Sequence, residues 1–256
     1  MCKIIIIVSS PRTGSCLLVD AFNLYSPIWP MHEFFRNTQI DLNTDYDSIS
    51  YKQIQINSNK KYKKLYDLIP PTQFEINTNY IDVLRAIHQV ADLDETVIIK
   101  IQSYQFDPID ISELCKLPFV EFIFLQRSNR LESFISLEQL SKNQMNTNVN
   151  TNNVAINLNY SSFMAHVKKA DQFDNYIDSA LSKSGKNILN VEYGKDLKDF
   201  TVEKFYNLVD PWLNQVGINL EHKLYEITFK RQRTTAIENC IENYEEVKEL
   251  VDSYRN

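Results

Sequence analysis

Cysteine and glycine are both scarce in this chain of 256 residues, which contains four of each. The cysteines lie far apart, at Cys2, Cys16, Cys115 and Cys240, and none belongs to the Cys-x-x-Cys pair that zinc and redox sites commonly use. The sequence therefore signals neither a zinc site nor a disulfide framework, and we expect a reducing, cytoplasmic setting. Because glycine is so rare, a glycine that follows a predicted strand is more informative than usual.

Long apolar runs are also absent. None approaches the roughly 20 residues of a transmembrane helix, and the Ile-rich run after Met1 covers only residues 4–8 before Ser-Ser-Pro-Arg. That run is too short for a secretory signal and predicts a first strand. The net charge of −6 gives no general basic face, so we expect neither a membrane nor a nucleic acid as partner. No linker rich in proline or glycine divides the chain, which predicts a single domain over residues 1–256.

Short apolar runs of strand length alternate with segments of helical spacing. Runs rich in Ile, Val and Phe predict buried parallel strands, and apolar residues three and four apart predict helices. This alternation predicts an α/β fold of three layers, with a mainly parallel sheet flanked by helices. The predicted strands are Lys3–Val8, Thr96–Ile101, Phe119–Leu125 and Asn187–Val191, and the predicted helices are Gly14–Leu24, Tyr80–Ala91, Leu131–Leu140, Phe163–Leu181 and a closing helix within Ala236–Tyr254.

Two segments show no clear period. Residues 36–75 are rich in Asn, Asp, Gln, Lys and Tyr, and residues 141–159 are rich in Asn, which is the composition of loops. Long loops within a compact domain are usually lids or mobile segments. We therefore expect both segments to be candidates for covering an acceptor.

The loop after the first predicted strand, residues 9–17, has the composition of an anion site. It leads into an apolar helix, and backbone N–H groups converge at a helix start, where the helix dipole also favours an anion. Gly14 lets the backbone approach an anion closely, Ser15 offers a hydroxyl, and Arg12 offers a planar fork of donors. The alternative is a plain turn in which a serine caps the helix.

The same loop lacks the lysine and the adjacent hydroxyl residue of the Walker pattern. Those residues give nucleotide triphosphatases their usual hold on the β- and γ-phosphates and on magnesium. A P-loop kinase or nucleotidase is therefore an alternative rather than the favoured interpretation, and a non-catalytic nucleotide-binding protein is another.

A second anion site is predicted after the strand that begins near residue 119. Arg127 follows the end of this strand, and Ser136 comes nine residues later, about two and a half helical turns on. Both side chains could hold one phosphate above the edge of the sheet. The alternative is that Arg127 pairs with a surface acid and that Ser136 is an ordinary helix residue.

Together the two segments resemble the sulfotransferases that use 3′-phosphoadenosine 5′-phosphosulfate (PAPS). The first is similar to their 5′-phosphosulfate loop, in the Pro-Arg-x-Gly-Ser form of the bacterial carbohydrate branch, and the second to their 3′-phosphate motif. Residues 191–197 and 229–232 are similar to later segments of the family. The residues thereby implied to bind the donor are Pro11, Arg12, Thr13, Gly14, Ser15, Cys16, Leu17, Arg127, Ser136 and Arg231.

The resemblance implies a P-loop-type fold and transfer of a sulfonate group from PAPS to a hydroxyl of a carbohydrate or small molecule, with adenosine 3′,5′-bisphosphate (PAP) as product and no metal. At two positions this sequence differs from many of the sulfotransferases that it resembles. Cys16 stands where many relatives have Thr or Ser, and Arg12 stands where the cytosolic hormone- and drug-modifying enzymes have Lys. Arg12 is implied to steady the charge that develops on the leaving oxygen.

The resemblance also implies a general base shortly after the first helix. Glu33 matches the position at which the bacterial carbohydrate enzymes have a glutamate, and the two phenylalanines that follow it would desolvate its carboxyl. His32 is the alternative, because the ordinary pKa of histidine, near 6.5, already suits a base. A purely structural alternative for Glu33 is an ion pair with Arg36.

Overall fold

A parallel β-sheet whose strands alternate with helices forms the centre of the structure, a computed structural model. The structure describes residues 2–32, 68, 80–103, 111–143, 154–227 and 236–254, apart from the side chains of residues 32 and 143. Its strands are β1 (Lys3–Ser9), β2 (Tyr25–Ser26), β3 (Ile28–His32), β4 (Thr96–Gln102), β5 (Val120–Gln126), β6 (Leu189–Glu192) and β7 (Glu221–His222). Its helices are α1 (Ser15–Ala21), α2 (Tyr80–Val90), α3 (Ile111–Cys115), α4 (Arg130–Asn143), α5 (Tyr160–Ser182), α6 (Val202–Gln215) and α7 (Tyr244–Ser253), with shorter helical turns at Phe22–Leu24, Tyr193–Leu197 and Ile237–Cys240.

Within the described residues, the sheet contains five strands in the order β3-β4-β1-β5-β6, and the pairings between them are all parallel. The central strand β1 places Ser9 beside Gln102 of β4 and beside Leu125 of β5. β2 and β7 form a separate antiparallel pair. Because the five strands run in one direction, their carboxyl ends lie along one edge of the sheet, where open α/β sheets bind ligands.

Apolar side chains cover both faces of the sheet, because successive residues of a strand point to opposite sides. In β1, Ile4, Ile6 and Val8 belong to a core shared with α2, α3 and the end of α5. Ile5 and Ile7 belong to a second core, shared with α1 and α6. Helices therefore flank the sheet on both sides, and the predicted three-layer α/β architecture is confirmed.

A third apolar cluster joins the C-terminal region to α4 and α5. Ile156 forms a parallel bridge with Ile241, and its N–H donates to the Cys240 carbonyl at 2.9 Å. The last part of the predicted loop 141–159 is therefore packed, with Ile156 and Leu158 both buried. Residues 141–143 belong to α4, whereas residues 144–153, and residues 36–75 apart from Leu68, lie outside the described residues.

The structure contains elements that the sequence pattern did not predict, among them β3 and α6, and it divides the predicted closing helix. β3 was not predicted because Pro30 lies inside it, and proline is confined mainly to edge strands, which is the position β3 occupies. α6 was not predicted, and Pro211 interrupts its pattern. The predicted closing helix is divided into the turn at Ile237–Cys240 and α7, with Ile241 in an extended conformation between them.

Candidate functional site

The predicted anion segments both lie at the carboxyl edge of the sheet. Residues 9–17 follow β1, Arg127 follows β5, and Tyr193 follows β6. The parallel register brings these ends together, since Ser9 lies beside Leu125 and Gln126 lies beside Glu192. Local sequence predicted each segment, and the strand order makes them neighbours in space.

The loop after β1 has an unusual backbone conformation at two residues. Arg12 has φ 65° and Gly14 has φ 86°, both in the left-handed region that residues other than glycine seldom adopt. The Thr13 hydroxyl donates to the Ser10 carbonyl at 2.8 Å, which closes the turn locally. A non-glycine residue such as Arg12 in this conformation is often found at functional sites, where surrounding contacts hold the strain.

Gly14 also has no space for a side chain. A Cβ atom there would lie 2.5 and 2.7 Å from two ring carbons of Tyr193, well inside van der Waals contact. The scarce glycine is therefore required twice, by its positive φ and by the approach of the tyrosine ring.

The helix that follows presents its first amides at this edge. The first intrahelical hydrogen bond of α1 is donated by the Leu18 N–H to the Gly14 carbonyl at 3.1 Å, so the preceding amides, including those of Ser15–Leu17, are not used in the helical ladder. The Ser15 side chain is buried and its hydroxyl accepts from Gln102 Nε2 at 3.3 Å. The backbone amides are therefore better placed than this hydroxyl to face an anion.

A buried lysine, which sequence reasoning missed, contacts the same helix. Lys100 lies in β4, is 1% exposed, and its Nζ donates to Cys16 Sγ at 3.0 Å. Burial of an ammonium group is costly unless polar partners compensate it. The signal was present in the sequence, since Lys100 is a single charge within the otherwise apolar run of residues 97–101.

A hydrogen bond joins the two predicted anion segments directly. Arg12 Nε donates to Ser136 Oγ at 3.1 Å, between residues 124 positions apart in the chain. The guanidinium of the first segment and the hydroxyl of the second therefore lie within reach of one ligand. In addition, Leu17 is partly buried against the second core, and Pro11 is partly exposed at the start of the loop.

Arg127 is held by three different parts of the chain. Its Nη1 donates to the Arg12 carbonyl at 2.8 Å, its Nη2 donates to Glu132 Oε2 at 2.5 Å, and its guanidinium carbon lies 4.4 Å from the centre of the Tyr193 ring. Arg127 and Glu132 are both buried. The acid that pairs with Arg127 is therefore not a surface acid, as the alternative interpretation expected. Arg127 thus supports the backbone of the loop as well as supplying positive charge.

Among the described residues of the site, positive side chains outnumber negative ones. Lys100, Arg12 and Arg127 lie at the loop, and Lys198 Nζ is 3.5 Å from Glu132 Oε1, so one buried carboxylate is shared by two cations. At the rim, Glu192 Oε1 accepts from the backbone N–H and the hydroxyl of Ser128, both at 3.0 Å. An anion at this edge would therefore meet a local positive field in a chain whose net charge is −6.

Contacts between α4 and α5 position the helix that carries Ser136. Arg130 pairs with Asp174 at 2.6 Å and with Asp171 at 2.9 Å. One turn further, Ser133 Oγ lies 3.0 Å from His166 Nε2. Burial, aided by the charge of Arg130, lowers the pKa of His166 below its ordinary value of 6.5, which favours the neutral imidazole.

The structure brings together the predicted donor-binding residues from Pro11 to Leu17 with Arg127 and Ser136. The backbone of His32 forms the end of β3 at the same edge. The His32 side chain, Glu33 and Arg231 lie outside the described residues, so their roles stay predictions.

Two further observations on the described residues concern metal binding and membrane spans. No group of three or more His, Cys, Asp and Glu side chains within them is arranged to hold a metal ion. Among the helices that the structure describes, none is both long enough and apolar enough to cross a bilayer.

Comparison with solved structures relates the fold to sulfotransferase domains. The chain is similar to the sulfotransferase domain of the Synechococcus PCC 7002 olefin synthase, with a TM-score of 0.51 and 16% identity, over 99% of this chain and 87% of that one. It is also similar to the sulfotransferase domain of the curacin biosynthetic pathway, with a TM-score of 0.50 and 15% identity, over 94% and 82%. No family model and no curated protein matches the sequence.

At these identities the likeness establishes the fold. The protein has the P-loop-type α/β fold of sulfotransferase domains, and the fold class predicted from the sequence is confirmed. The likeness concerns sulfotransferase domains in general, and the predicted carbohydrate branch stays a prediction.

Proposed function

We propose that the protein is a sulfotransferase that moves a sulfonate group from PAPS to an acceptor hydroxyl. The observation that carries this proposal is the hydrogen bond from Arg12 to Ser136 at 3.1 Å, which unites two segments that were each interpreted as anion sites. A donor with phosphate at both its 5′ and its 3′ position needs two adjacent anion sites, and the fold shared with sulfotransferase domains supports the same function.

The residues at the sheet edge fit such a donor. The amides of residues 15–17 and the Arg12 guanidinium would hold the 5′ end of the donor. The same guanidinium, on the side that contacts Ser136, would hold the 3′-phosphate together with the Ser136 hydroxyl. Arg127 would act partly through the Arg12 carbonyl that it binds. Lys100, buried against Cys16, adds a cation that can stabilise negative charge developing beside α1.

When bound, PAPS supplies the sulfonate group, and the chain supplies positioning, charge stabilisation and removal of the acceptor proton. For that proton we retain Glu33, with His32 as the alternative. β3 carries the chain to the same edge of the sheet as Lys100 and the loop, which supports a base at this point of the sequence. The acceptor class we propose is a carbohydrate or small-molecule hydroxyl.

The test is a calorimetric titration with PAP, the desulfonated product, beside ADP and magnesium-ATP. Wild type is compared with Arg12→Ala and Ser136→Ala. Arg85→Ala serves as control because Arg85 is exposed and its ion pair within the described part of the chain is with Asp82 of the same helix. We expect micromolar binding of PAP without metal, weakened about tenfold or more in the two site variants and unchanged in the control.

A preference for magnesium-ATP would replace the proposal with a kinase or nucleotidase. If the wild type binds PAP and both site variants bind it equally well, Arg12 and Ser136 do not contribute to PAP binding and the proposed site is wrong. If PAP binds as expected, Glu33→Gln then separates an enzyme from a non-catalytic nucleotide-binding protein, because only the enzyme loses sulfonate transfer while retaining PAP.

A further inference from the structure

Two nucleophilic side chains, a thiol and an amine, are in direct contact at the proposed donor site. Cys16 Sγ and Lys100 Nζ lie 3.0 Å apart, on α1 and on β4. Of the four cysteines, Cys2 and Cys240 are buried, whereas Cys16 and Cys115 are partly exposed. Cys16 is therefore a thiol that a small oxidant can reach, and its partner amine is already in position.

We propose that Cys16 and Lys100 form an oxidation-sensitive pair that closes into a reversible sulfur–nitrogen cross-link. This inference rests on the proposed function for its consequence, though not for its chemistry. The oxidant is a hydroperoxide, of which hydrogen peroxide is the simplest.

The reaction has two balanced steps. In the first, the sulfur attacks one peroxide oxygen, the O–O bond breaks, and the thiol becomes a sulfenic acid with release of water. In the second, the Lys100 ammonium first gives a proton to solvent, the free amine attacks the sulfur, and the S–O bond breaks. The departing hydroxide takes a second proton from the nitrogen and leaves as water. Sulfur is oxidised and peroxide is reduced, and relative to the thiol and the neutral amine the protein loses two hydrogens.

The geometry favours the second step over further oxidation. Lys100 is 1% exposed, so its amine is held against the sulfur with little competition from water, and a contact fixed in this way raises the effective concentration of the nucleophile. An exposed sulfenic acid without such a neighbour continues to the irreversible sulfinic acid. The pair therefore protects Cys16 while it removes a thiol and a positive charge from the loop.

The consequence is a reversible loss of donor binding. The link would fix the start of α1 to β4 and neutralise Lys100, at the place where the proposed 5′ end of the donor lies. Attack of an external thiol on the sulfur would release the amine and, after a second exchange, restore the free cysteine. Peroxide would thus switch the site off, and a thiol reductant would switch it on.

The test treats the full chain with hydrogen peroxide, blocks free thiols, and maps the peptides by mass spectrometry without reductant. We expect a peptide joining Cys16 to Lys100, two hydrogens lighter than its two components combined, which disappears with dithiothreitol. Cys115 is the internal control, since it is similarly partly exposed and its neighbour Lys116 is engaged with Glu113. We expect Cys115 to advance to sulfinic acid.

Lys100→Arg is the matched variant. Arginine keeps a positive charge, but its guanidinium stays protonated and therefore does not act as a nucleophile. In that variant the cross-link is expected to be absent. Recovery of wild-type Cys16 as sulfinic acid without any link, or resistance of Cys16 to peroxide, would overturn the proposal, and neither result depends on how the variant folds.

A PAP titration of the reduced and oxidised wild type separates the two proposals. Binding by the reduced form that is lost on oxidation and recovered with dithiothreitol supports both. A cross-link in a protein that never binds PAP supports the pair and rejects the donor site. Binding without any cross-link rejects the pair alone.

Discussion

Replacement of Gly14 by alanine tests how the loop after β1 is built. Gly14 has φ 86°, and a Cβ atom would lie 2.5 and 2.7 Å from ring carbons of Tyr193. A left-handed conformation costs a residue with a side chain about 1–2 kcal/mol. The ring would also have to move by about 1 Å to restore normal contact, and such overpacking costs about 1–3 kcal/mol. Alanine returns less than about 1 kcal/mol by restricting the unfolded chain, so we expect a net loss of about 1–5 kcal/mol.

The assay is urea unfolding of Gly14→Ala in two backgrounds, wild type and Tyr193→Ala. Removal of the ring leaves only the conformational cost of about 1 kcal/mol, so the coupling energy between the two sites should be about 1–3 kcal/mol. Gly217→Ala is the matched control, because Gly217 has φ 70° and nothing within 4 Å of the added Cβ. The reasoning is refuted if Gly14→Ala costs no more than Gly217→Ala, or if its cost is the same without Tyr193.

Two further predictions concern charge. Lys100→Met should retain the fold, since methionine fills a similar volume, and should weaken PAP binding about tenfold or more. Lys186→Met is its control, because Lys186 binds the Val120 carbonyl at the opposite end of β5, and equal binding by both variants would contradict a role for Lys100. Because the pKa of His166 is lowered on folding, the unfolded state binds its proton more readily, and stability should fall as pH drops through and below about 6.5. His166→Gln should reduce this loss of thermal stability between about pH 7.5 and 5, and parallel melting profiles for variant and wild type would count against it.

The layered architecture was predictable because it depends on local patterns. The apolar runs that became β1, β4, β5 and β6 are each long enough to form a buried strand, and the segments between them have helical spacing. β3 was missed because Pro30 weakens its strand pattern. Only its partner β4, far along the chain, explains why an edge position accepts it.

The site was predictable only in part, because its geometry depends on register between distant strands. The composition of residues 9–17 indicated an anion loop, but nothing local shows that Tyr193 limits the side chain at Gly14 or that Glu132 shares the charge of Arg127. Lys100 was not predicted, because the run that contains it is otherwise apolar and indicates only a buried strand. A lone charge in such a run is itself informative, since an unpartnered ammonium would not be tolerated there.

The bond between Arg12 and Ser136 also has a consequence for the order of folding. It closes a separation of 124 residues, and the bond from Arg127 to the Arg12 carbonyl closes one of 115. A nascent chain that has not yet paired β5 with β1 has the loop sequence but none of these contacts, and such long-range closures form slowly. A ligand that requires both segments would therefore recognise only the completed sheet, and its binding would raise the stability of the finished domain without assisting earlier intermediates.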